Sequence, residues 1–295
     1  MARQTHIGDH SSSRGVLPLR AEGEGQRPGI KLNRRLGLSA ALLGLIVMAA
    51  VLAPWLTSRD PREAVPREQL EPPSGQHLFG TDLLGRDVFS RVLYGGRRTL
   101  GVALLTAAVT LVPGLTIGLL AGYTGRWVDT ALMTLMDALL AFPSLLMALA
   151  LIALFGSGRL QIVGAVGIAG IPAYARVTRA AVLEARALPF IEAARAIGAR
   201  PEGILRRHIL PAIAPPLLAF AGVTLSWAIL NSAALTFLGY GGDISAPDWG
   251  VMLADGRQTF RMAPWAVIAP GVALSLTVFA INLLAGSLDS PFHRR

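Results

Sequence analysis

Between Phe190 and Pro211 the chain reads FIEAARAIGARPEGILRRHILP, a polar segment of helical length in an otherwise hydrophobic sequence. Hydrophobic stretches lie on either side of it, at 160–175 and 208–242. The part from 176 to 207 carries seven arginines and three acidic residues, as basic loops on the cytoplasmic side of membrane proteins do. We therefore expect this stretch to present a helix to a soluble partner.

The local pattern predicts a short helix with a tight turn behind it. Pro189 can begin the helix, because the N–H that proline lacks would be unpaired at that position. Ile191, Ala194 and Ile197 then recur every three residues, which predicts one apolar face on an otherwise charged helix. Gly198 can adopt the positive φ with which many helices end.

The composition of the whole chain is that of an integral membrane protein. Hydrophobic residues make up 53% of its 295 residues, charged residues make up 15%, and the mean hydropathy is +0.52. Six runs without Asp, Glu, Lys or Arg predict six membrane-spanning helices, at 36–58, 99–125, 138–158, 160–175, 208–242 and 262–288. The fourth run is short and rich in glycine and alanine, so we expect it to pack closely inside a helical bundle.

The predicted organisation of the chain follows from these runs. The segments are a basic, disordered cytoplasmic tail at 1–35, the first membrane helix at 36–57, an extracytoplasmic segment at 58–98, a core of five further helices at 99–288 with a cytoplasmic loop at 176–213, and a cytoplasmic tail at 289–295. The basic tail predicts a cytoplasmic N-terminus, and six spans then put the C-terminus on the same side. The extracytoplasmic segment fits this rule less well, because it carries seven arginines of its own.

Several function classes are excluded by residues that the sequence lacks. It has no cysteine for a thiolate metal site, and its five histidines have no metal-binding spacing. Its one lysine, Lys31, is followed by leucine, so there is no Gly-Lys-Ser/Thr phosphate loop and any ATP chemistry must belong to another chain. The net charge of +9 is spread over the flanks of the membrane segments, which argues against nucleic-acid binding. Asp82 and Asp87 have no accompanying base, nucleophile or metal set, so we expect no catalytic residue, metal or cofactor in this chain.

Two motifs resemble those of one transporter family. Glu192-Ala193-Ala194, followed by Gly198 and by Ile209-Leu210-Pro211, is similar in spacing to the coupling loop of ABC-transporter permeases. The stretch that begins at His77, HLFGTDLLGRDVFSRVLYGGRRTL, resembles the FGTDxxGRDxxSRxxxGxRxSL signature of dipeptide, oligopeptide and nickel permeases. The resemblance is to the second of the two permease subunits in those importers, and it extends over roughly 36–289.

This resemblance implies an all-α transmembrane domain of the type I ABC importers, with six helices. In that family two homologous permeases form the pathway, two ATPases bind ATP and magnesium in the cytoplasm, and an extracytoplasmic solute-binding protein delivers the cargo. The chain would then be a lipid-embedded permease subunit of the bacterial inner membrane, with both termini in the cytoplasm. The residues implied to couple it to the ATPases are Glu192, Ala193, Ala194, Ile197, Gly198, Ile209, Leu210 and Pro211.

Polar residues in the hydrophobic runs are candidates for the transport pathway or for structural hydrogen bonds. Asp137 should face a partner or water, since an ionised group costs about 2.5–3.5 kcal/mol at the centre of a membrane helix. We interpret it as a structural hydrogen-bonding group near the cytoplasmic interface, with a gate or substrate contact as the alternative. Asn231 and Asn282 can hydrogen-bond across helices, and we interpret both as packing residues. The residues that could act as hinges are Pro143, Pro270 and Gly271.

The leading interpretation is a permease subunit of an ATP-driven importer for peptides or a similar small solute. An ion-coupled secondary transporter is an alternative, but it should contain inverted repeats and several ionisable groups in its membrane segments. A membrane scaffold or signalling protein is another, in which the polar segment would dock a partner without transport. The sequence leaves the substrate open among dipeptides, oligopeptides, nickel chelates and glutathione.

Overall fold

The computed structural model describes residues 29–243 and 245–289, and in this part of the chain the regular structure is helical. The α-helices are α1 (Gly29–Val51), α2 (Ala53–Leu56), α3 (Val88–Thr124), α4 (Arg126–Leu140), α5 (Ser144–Phe155), α6 (Arg159–Arg186), α7 (Pro189–Ala196), α8 (Pro201–Ile204), α9 (Leu210–Phe237), α10 (Trp249–Arg257) and α11 (Trp265–Asp289). A 3₁₀ turn at Pro66–Glu68 and a π-helical turn at Leu205–Ile209 complete them. The predicted tails lie outside the described residues at 1–28 and 290–295.

Four helical stretches among the described residues are long and apolar enough to cross a membrane. They are α3, α6, the continuous stretch from α8 to α9, and α11. A fifth span results if α4 and α5 are taken together, although these two helices meet at an angle of 89°. The first predicted span corresponds to a shorter apolar helix at Leu36–Val51, which is the C-terminal part of α1. The six predicted segments are helical and occur in the predicted order, but by length and composition the described residues supply four or five of the six predicted spans.

Three helix boundaries differ from the prediction. α1 begins at Gly29, inside the predicted tail, because the residues that follow are good helix formers and include no proline. α3 begins at Val88 rather than Thr99, because Asp87 caps the helix there and Arg91 in its first turn is buried beside Asp82. α6 continues to Arg186, so the first part of the predicted loop at 176–213 is the end of a membrane-length helix.

The predicted third span is a broken helix. α4 ends at Leu140 and α5 begins at Ser144, with Pro143 in the N-cap position of α5. Proline disfavours helical geometry in the residue before it, which explains why the helix does not run through this point. Pro143 therefore lies at a bend, whereas Pro270 lies inside the uninterrupted helix α11 together with Gly271. Motion at any of these three residues stays a prediction.

α3 and α6 approach each other closely through small residues. Gly114, Gly118 and Gly122 follow one another at four-residue spacing along α3. A Cβ atom added at Gly118 would come within 2.5 Å of the Thr178 Cβ on α6. Small residues allow such an approach in a membrane, where packing holds helices together. α6 is also the most buried of the four spans, which confirms that the glycine- and alanine-rich segment lies inside the bundle.

Candidate coupling segment and polar sites

α7 is short because local chemistry sets both of its ends. Pro189 occupies the first helical position. At the other end Gly198 has a φ of +80°. The Gly198 N–H donates to the Arg195 carbonyl at 3.0 Å, and the Ala199 N–H donates to the Ala194 carbonyl at 3.1 Å. This pair of bonds is a Schellman motif, which needs a residue of positive φ at its turn. The predicted helix start and glycine turn are confirmed.

One face of α7 is buried against its own chain. Ile191 is fully buried and Ala194 is 7% exposed, and both belong to an apolar cluster that includes Ile204 and Ile209. Ile197 is 86% exposed, because the helix ends one residue before it and the helical period stops there. The predicted three-residue face is therefore wrong at Ile197. Ala194 and Ile209, which the resemblance implied as ATPase contacts, are packed inside this chain and hold α7 in place.

The outer face of α7 is open to solvent. The exposed residues of α7 and of the turn after it are Pro189, Phe190, Glu192, Ala193, Arg195, Ala196, Ile197 and Gly198. Pro211 is also exposed, and Leu210 beside it is half-buried. Two large apolar side chains, Phe190 and Ile197, together with alanines and a few charges thus form the surface that a partner could contact.

One hydrogen bond connects this segment to the end of α3, and two others join that end of α3 to α6. The Tyr123 hydroxyl near the end of α3 donates to the Pro201 carbonyl at 2.9 Å. Arg186, the last residue of α6, donates from Nη1 to the Gly122 carbonyl at 2.6 Å and to the Tyr123 carbonyl at 3.0 Å. The arginine thereby satisfies carbonyls that lack partners at a helix C-terminus. The segment after α7 is therefore tied to α3 at Pro201, and that end of α3 is tied to α6.

Ion pairs attach α4 to α6. Asp137 pairs with Arg176, and more than half of each side chain is exposed. Asp129, two turns earlier, pairs with Arg179 through two bonds of 2.5 and 2.6 Å. Asp137 thus has a protein partner, as its structural interpretation expects, and a gate role stays a prediction. Sequence reasoning missed Arg176 as this partner, because the two residues are 39 positions apart.

The two membrane asparagines differ. Asn282 Nδ2 donates to Ser226 Oγ at 3.1 Å, which joins α11 to α9 as expected for a packing residue. Asn231 Nδ2 donates to the Trp227 carbonyl at 2.9 Å, so its hydrogen bond stays within α9. Within the described residues Asn231 makes no bond across helices, because a carbonyl one turn earlier in its own helix accepts from its amide, and its role as a packing residue stays a prediction.

The opposite end of the bundle is held by buried charges. Asp82 accepts from Arg86 Nε at 2.6 Å, and Arg86 Nη2 donates to Asp255 Oδ2 at 2.9 Å. Arg91 is 1% exposed, lies 3.5 Å from Asp82 and donates to the Pro61 carbonyl at 3.1 Å. We call the four residues Asp82, Arg86, Arg91 and Asp255 the ionic cluster. The motif that begins at His77 supplies three of them, and their ion pairs join the first turn of α3 to α10.

His77 links this end to the first turn of α3. Its side chain is almost fully buried, with Nδ1 at 3.0 Å from Asp87 Oδ1 and Nε2 at 3.2 Å from Glu68 Oε2. The second Asp87 oxygen accepts from the Ser90 N–H at 2.8 Å, so Asp87 is the N-cap of α3. Within the described residues no group of acidic residues and histidines is arranged to hold a metal ion.

A comparison with known proteins identifies the family of this chain. Residues 114–294 match the family described as "Binding-protein-dependent transport system inner membrane component". The chain belongs to this family. It is the permease subunit of an ABC importer, a multi-pass membrane protein that transports and does not catalyse.

Full-length relatives of the permease have similar sequences over most of their length. The dipeptide transport system permease protein DppC of Alkalihalophilus pseudofirmus is 40% identical, over 84% of this chain and 83% of that protein. The glutathione transport system permease protein GsiD of Pectobacterium atrosepticum is 40% identical, over 87% of this chain and 86% of that protein. A solved inward-facing structure of the MetNI methionine ABC transporter has a TM-score of 0.54 at 20% identity, over 67% of this chain and 96% of that chain. The all-α importer fold is thereby confirmed.

The permease also contains a buried anchor that sequence reasoning did not assign. Asp248 caps α10 and accepts from the hydroxyls of Thr99 and Thr236 at 3.2 and 3.0 Å. Trp249, next in the chain, donates from Nε1 to the Val92 carbonyl at 2.9 Å. An aspartate just before a helix start predicts an N-cap. It does not predict the partners on α3 and α9, because they lie too far away in the chain.

Proposed function

We propose that this permease forms one half of the translocation pathway of a bacterial importer for peptides or a closely related solute. The substrate class is supported by the names of its relatives, which include permeases of dipeptide, di/tripeptide and glutathione transport systems. The other half of the pathway is a homologous second permease. Two cytoplasmic ATPases and an extracytoplasmic solute-binding protein complete the importer.

The observation that carries the coupling role is the division of α7 into two faces. Its inner face packs against the permease itself through Ile191 and Ala194, and its outer face is exposed. The inner contacts and the Pro201 bond to α3 join the segment to the membrane helices, so a displacement of the segment is passed to them. The outer face, with Glu192, Ala193 and Ile197, is then the part that enters a groove on an ATPase.

The proposed orientation puts α7 and both termini in the cytoplasm and the ionic cluster on the outer side of the bacterial inner membrane. Seven arginines between 176 and 207 support it through the positive-inside rule. ATP and magnesium bind to the ATPases, and this chain binds no cofactor. The absence of a phosphate loop from this sequence supports ATP binding by the ATPases rather than by this chain.

A secondary transporter is the weaker proposal. Coupling to an ion needs an ionisable group that is desolvated in the membrane. Asp137, the candidate named from the sequence, is paired with Arg176 and more than half exposed. A scaffold role is weaker as well, because it would not require the close relatives to be transport permeases.

Uptake of a labelled dipeptide by the assembled importer in proteoliposomes tests the proposal. Uptake should require ATP and the solute-binding protein, and it should be unaffected by collapse of the ion gradient. Liposomes with the two permeases but without ATPases are the control, and they should release phosphate only at background rate. Uptake that follows an ion gradient without ATP would contradict the proposal, and transport of glutathione but no dipeptide would correct its substrate.

A further inference from the structure

A basic cleft opens on the side of the bundle opposite α7. It has a volume of about 830 Å³ and lies between the segment after α2, the first turns of α3 and the start of α6. Its cationic and phenolic side chains are Arg59, Arg62, Arg97, Arg98, Arg159 and Tyr94, and Asp60 is the acidic residue of its lining. Cationic groups that share one cleft repel one another, and an anion placed among them would relieve this repulsion.

The protein neutralises these arginines only in part. Arg62 lies 3.3 Å from Asp243 Oδ2, and Arg98 lies 3.9 Å from the same oxygen. Arg97 and Arg159 form no ion pair or hydrogen bond with any residue in the described part of the chain. Two positive charges of the cleft are therefore left without a counter-charge.

This cleft accounts for the arginines that fit the positive-inside rule poorly. Of the seven arginines between 58 and 98, Arg86 and Arg91 belong to the ionic cluster. Four others line the cleft: Arg59, Arg62, Arg97 and Arg98. The excess of positive charge on this side is therefore concentrated in one cavity, as a specific anion site would require.

The cleft lies where the apolar part of the bundle begins. Trp55 in α2 is 84% exposed and Leu160 in the first turn of α6 is 73% exposed, as expected of side chains at a membrane boundary. Leu104 and Val112, seven and fifteen positions beyond Arg97 on α3, are each 66% exposed. Residues at these spacings share one helix face, so an apolar strip leads from the cleft toward the membrane interior.

We propose that this cleft binds the phosphate of an anionic phospholipid, with an acyl chain along the apolar strip of α3. Guanidinium groups match phosphate oxygens through paired N–H bonds, and the acyl chain covers Leu104 and Val112. An anionic headgroup joined to an acyl chain matches a basic cleft that lies directly beside an apolar strip, so the two features together favour a lipid. The lipid belongs to the outer leaflet under the proposed orientation, whereas binding itself does not depend on that orientation.

Native mass spectrometry of the full-length permease in detergent tests this proposal. The permease is titrated with phosphatidylglycerol or with phosphatidylcholine of identical acyl chains. Wild type should bind phosphatidylglycerol about tenfold more tightly, because each basic residue near the phosphate adds to the attraction. Arg97→Gln/Arg159→Gln should lose this preference without a change in folded yield, since neither arginine has a protein partner to lose.

A matched double variant controls for net charge. Arg67→Gln/Arg261→Gln removes two exposed arginines that do not line the cleft, and it should keep the lipid preference. Equal affinity of wild type for both lipids, or an equal loss in the two double variants, overturns the proposal.

A second pair of measurements distinguishes a lipid from a protein occupant. If Arg97→Gln/Arg159→Gln keeps the lipid preference but loses binding of the solute-binding protein or of the second permease, the cleft is a protein interface and the proposal fails. Neither result bears on α7, because ATP-dependent uptake tests the transport function separately.

Discussion

The two ends of this permease are held together by different interactions. At the α7 end the contacts are an apolar cluster around Ile191 and hydrogen bonds from Tyr123 and Arg186 to carbonyls. At the opposite end Arg91 and Asp82 are buried together, with the partly buried Asp255 beside them. Apolar packing is non-directional and tolerates small displacements, whereas a buried charge that loses its partner is strongly destabilising. The comparison indicates that the coupling end can move while the ionic end stays fixed.

The largest effect should come from breaking the ionic cluster. Asp82→Leu leaves Arg86 and Arg91 to share the carboxylate of Asp255, so we expect the free energy of unfolding to fall by about 3–5 kcal/mol. The measurement is thermal unfolding of the purified permease in detergent, together with its folded yield.

An exposed carboxylate on the same side provides the control. A hydrogen bond from the Ser245 side chain lowers the pKa of Asp243, which therefore stays ionised at neutral pH, but its pair with Arg62 is about half exposed. Asp243→Asn should change the stability by about 0–1 kcal/mol. If Asp82→Leu lowers the stability no more than Asp243→Asn does, the buried charges do not hold the ionic end in place. The contrast between the two ends is then wrong.

A smaller effect on stability, with a selective effect on transport, is expected at the turn after α7. A Cβ atom at Gly198 would meet no atom within 4 Å, so the cost of a side chain there comes from its positive φ alone. Gly198→Val should cost about 1–2 kcal/mol locally, reorient α7 and abolish most ATP-driven uptake at normal protein levels. Gly198→Asn is the matched variant, and it should keep most of the uptake because asparagine tolerates this backbone conformation. Normal transport by the valine variant would show that the turn does not position α7.

The smallest effect is expected from single cysteine substitutions in α7. Labelling of these thiols tests the division of the helix into two faces. The chain has no cysteine, so one introduced thiol is unique. Ala193→Cys should react with a water-soluble maleimide in the isolated permease and be protected once the ATPases assemble. Ala194→Cys, at a position that is 7% exposed, should react slowly in both states. Protection that is absent at residue 193, or equal reactivity at both positions, would contradict the division of α7 into an inner and an outer face.

Features that depend on neighbouring residues could be predicted from the sequence, whereas contacts between residues far apart in the chain could not. Pro189 and Gly198 set the ends of α7 through their own backbone preferences, and the glycine-rich fourth run predicted the close packing of α6. The direction of Ile197 was missed because periodicity was extended past the end of the helix. Asp255 could not be assigned to Arg86, since 169 residues separate them. The bend at Pro143 was marked by its proline, but its angle of 89° depends on the packing of α4 and α5.

The π-helical turn at Leu205–Ile209 corrects a mismatch of helical phase. In a regular α-helix successive residues rotate by about 100°, so Ile204 and Ile209, five apart, would point about 140° away from each other. A turn with hydrogen bonds between residues five apart rotates less per residue and brings the two side chains closer to one direction, and both are indeed buried in one cluster. The extra residue therefore keeps α8 and α9 in register with the same core. Removal of one residue between the two isoleucines would restore ordinary α spacing and leave that core intact, whereas insertion of one would rotate α8 out of it.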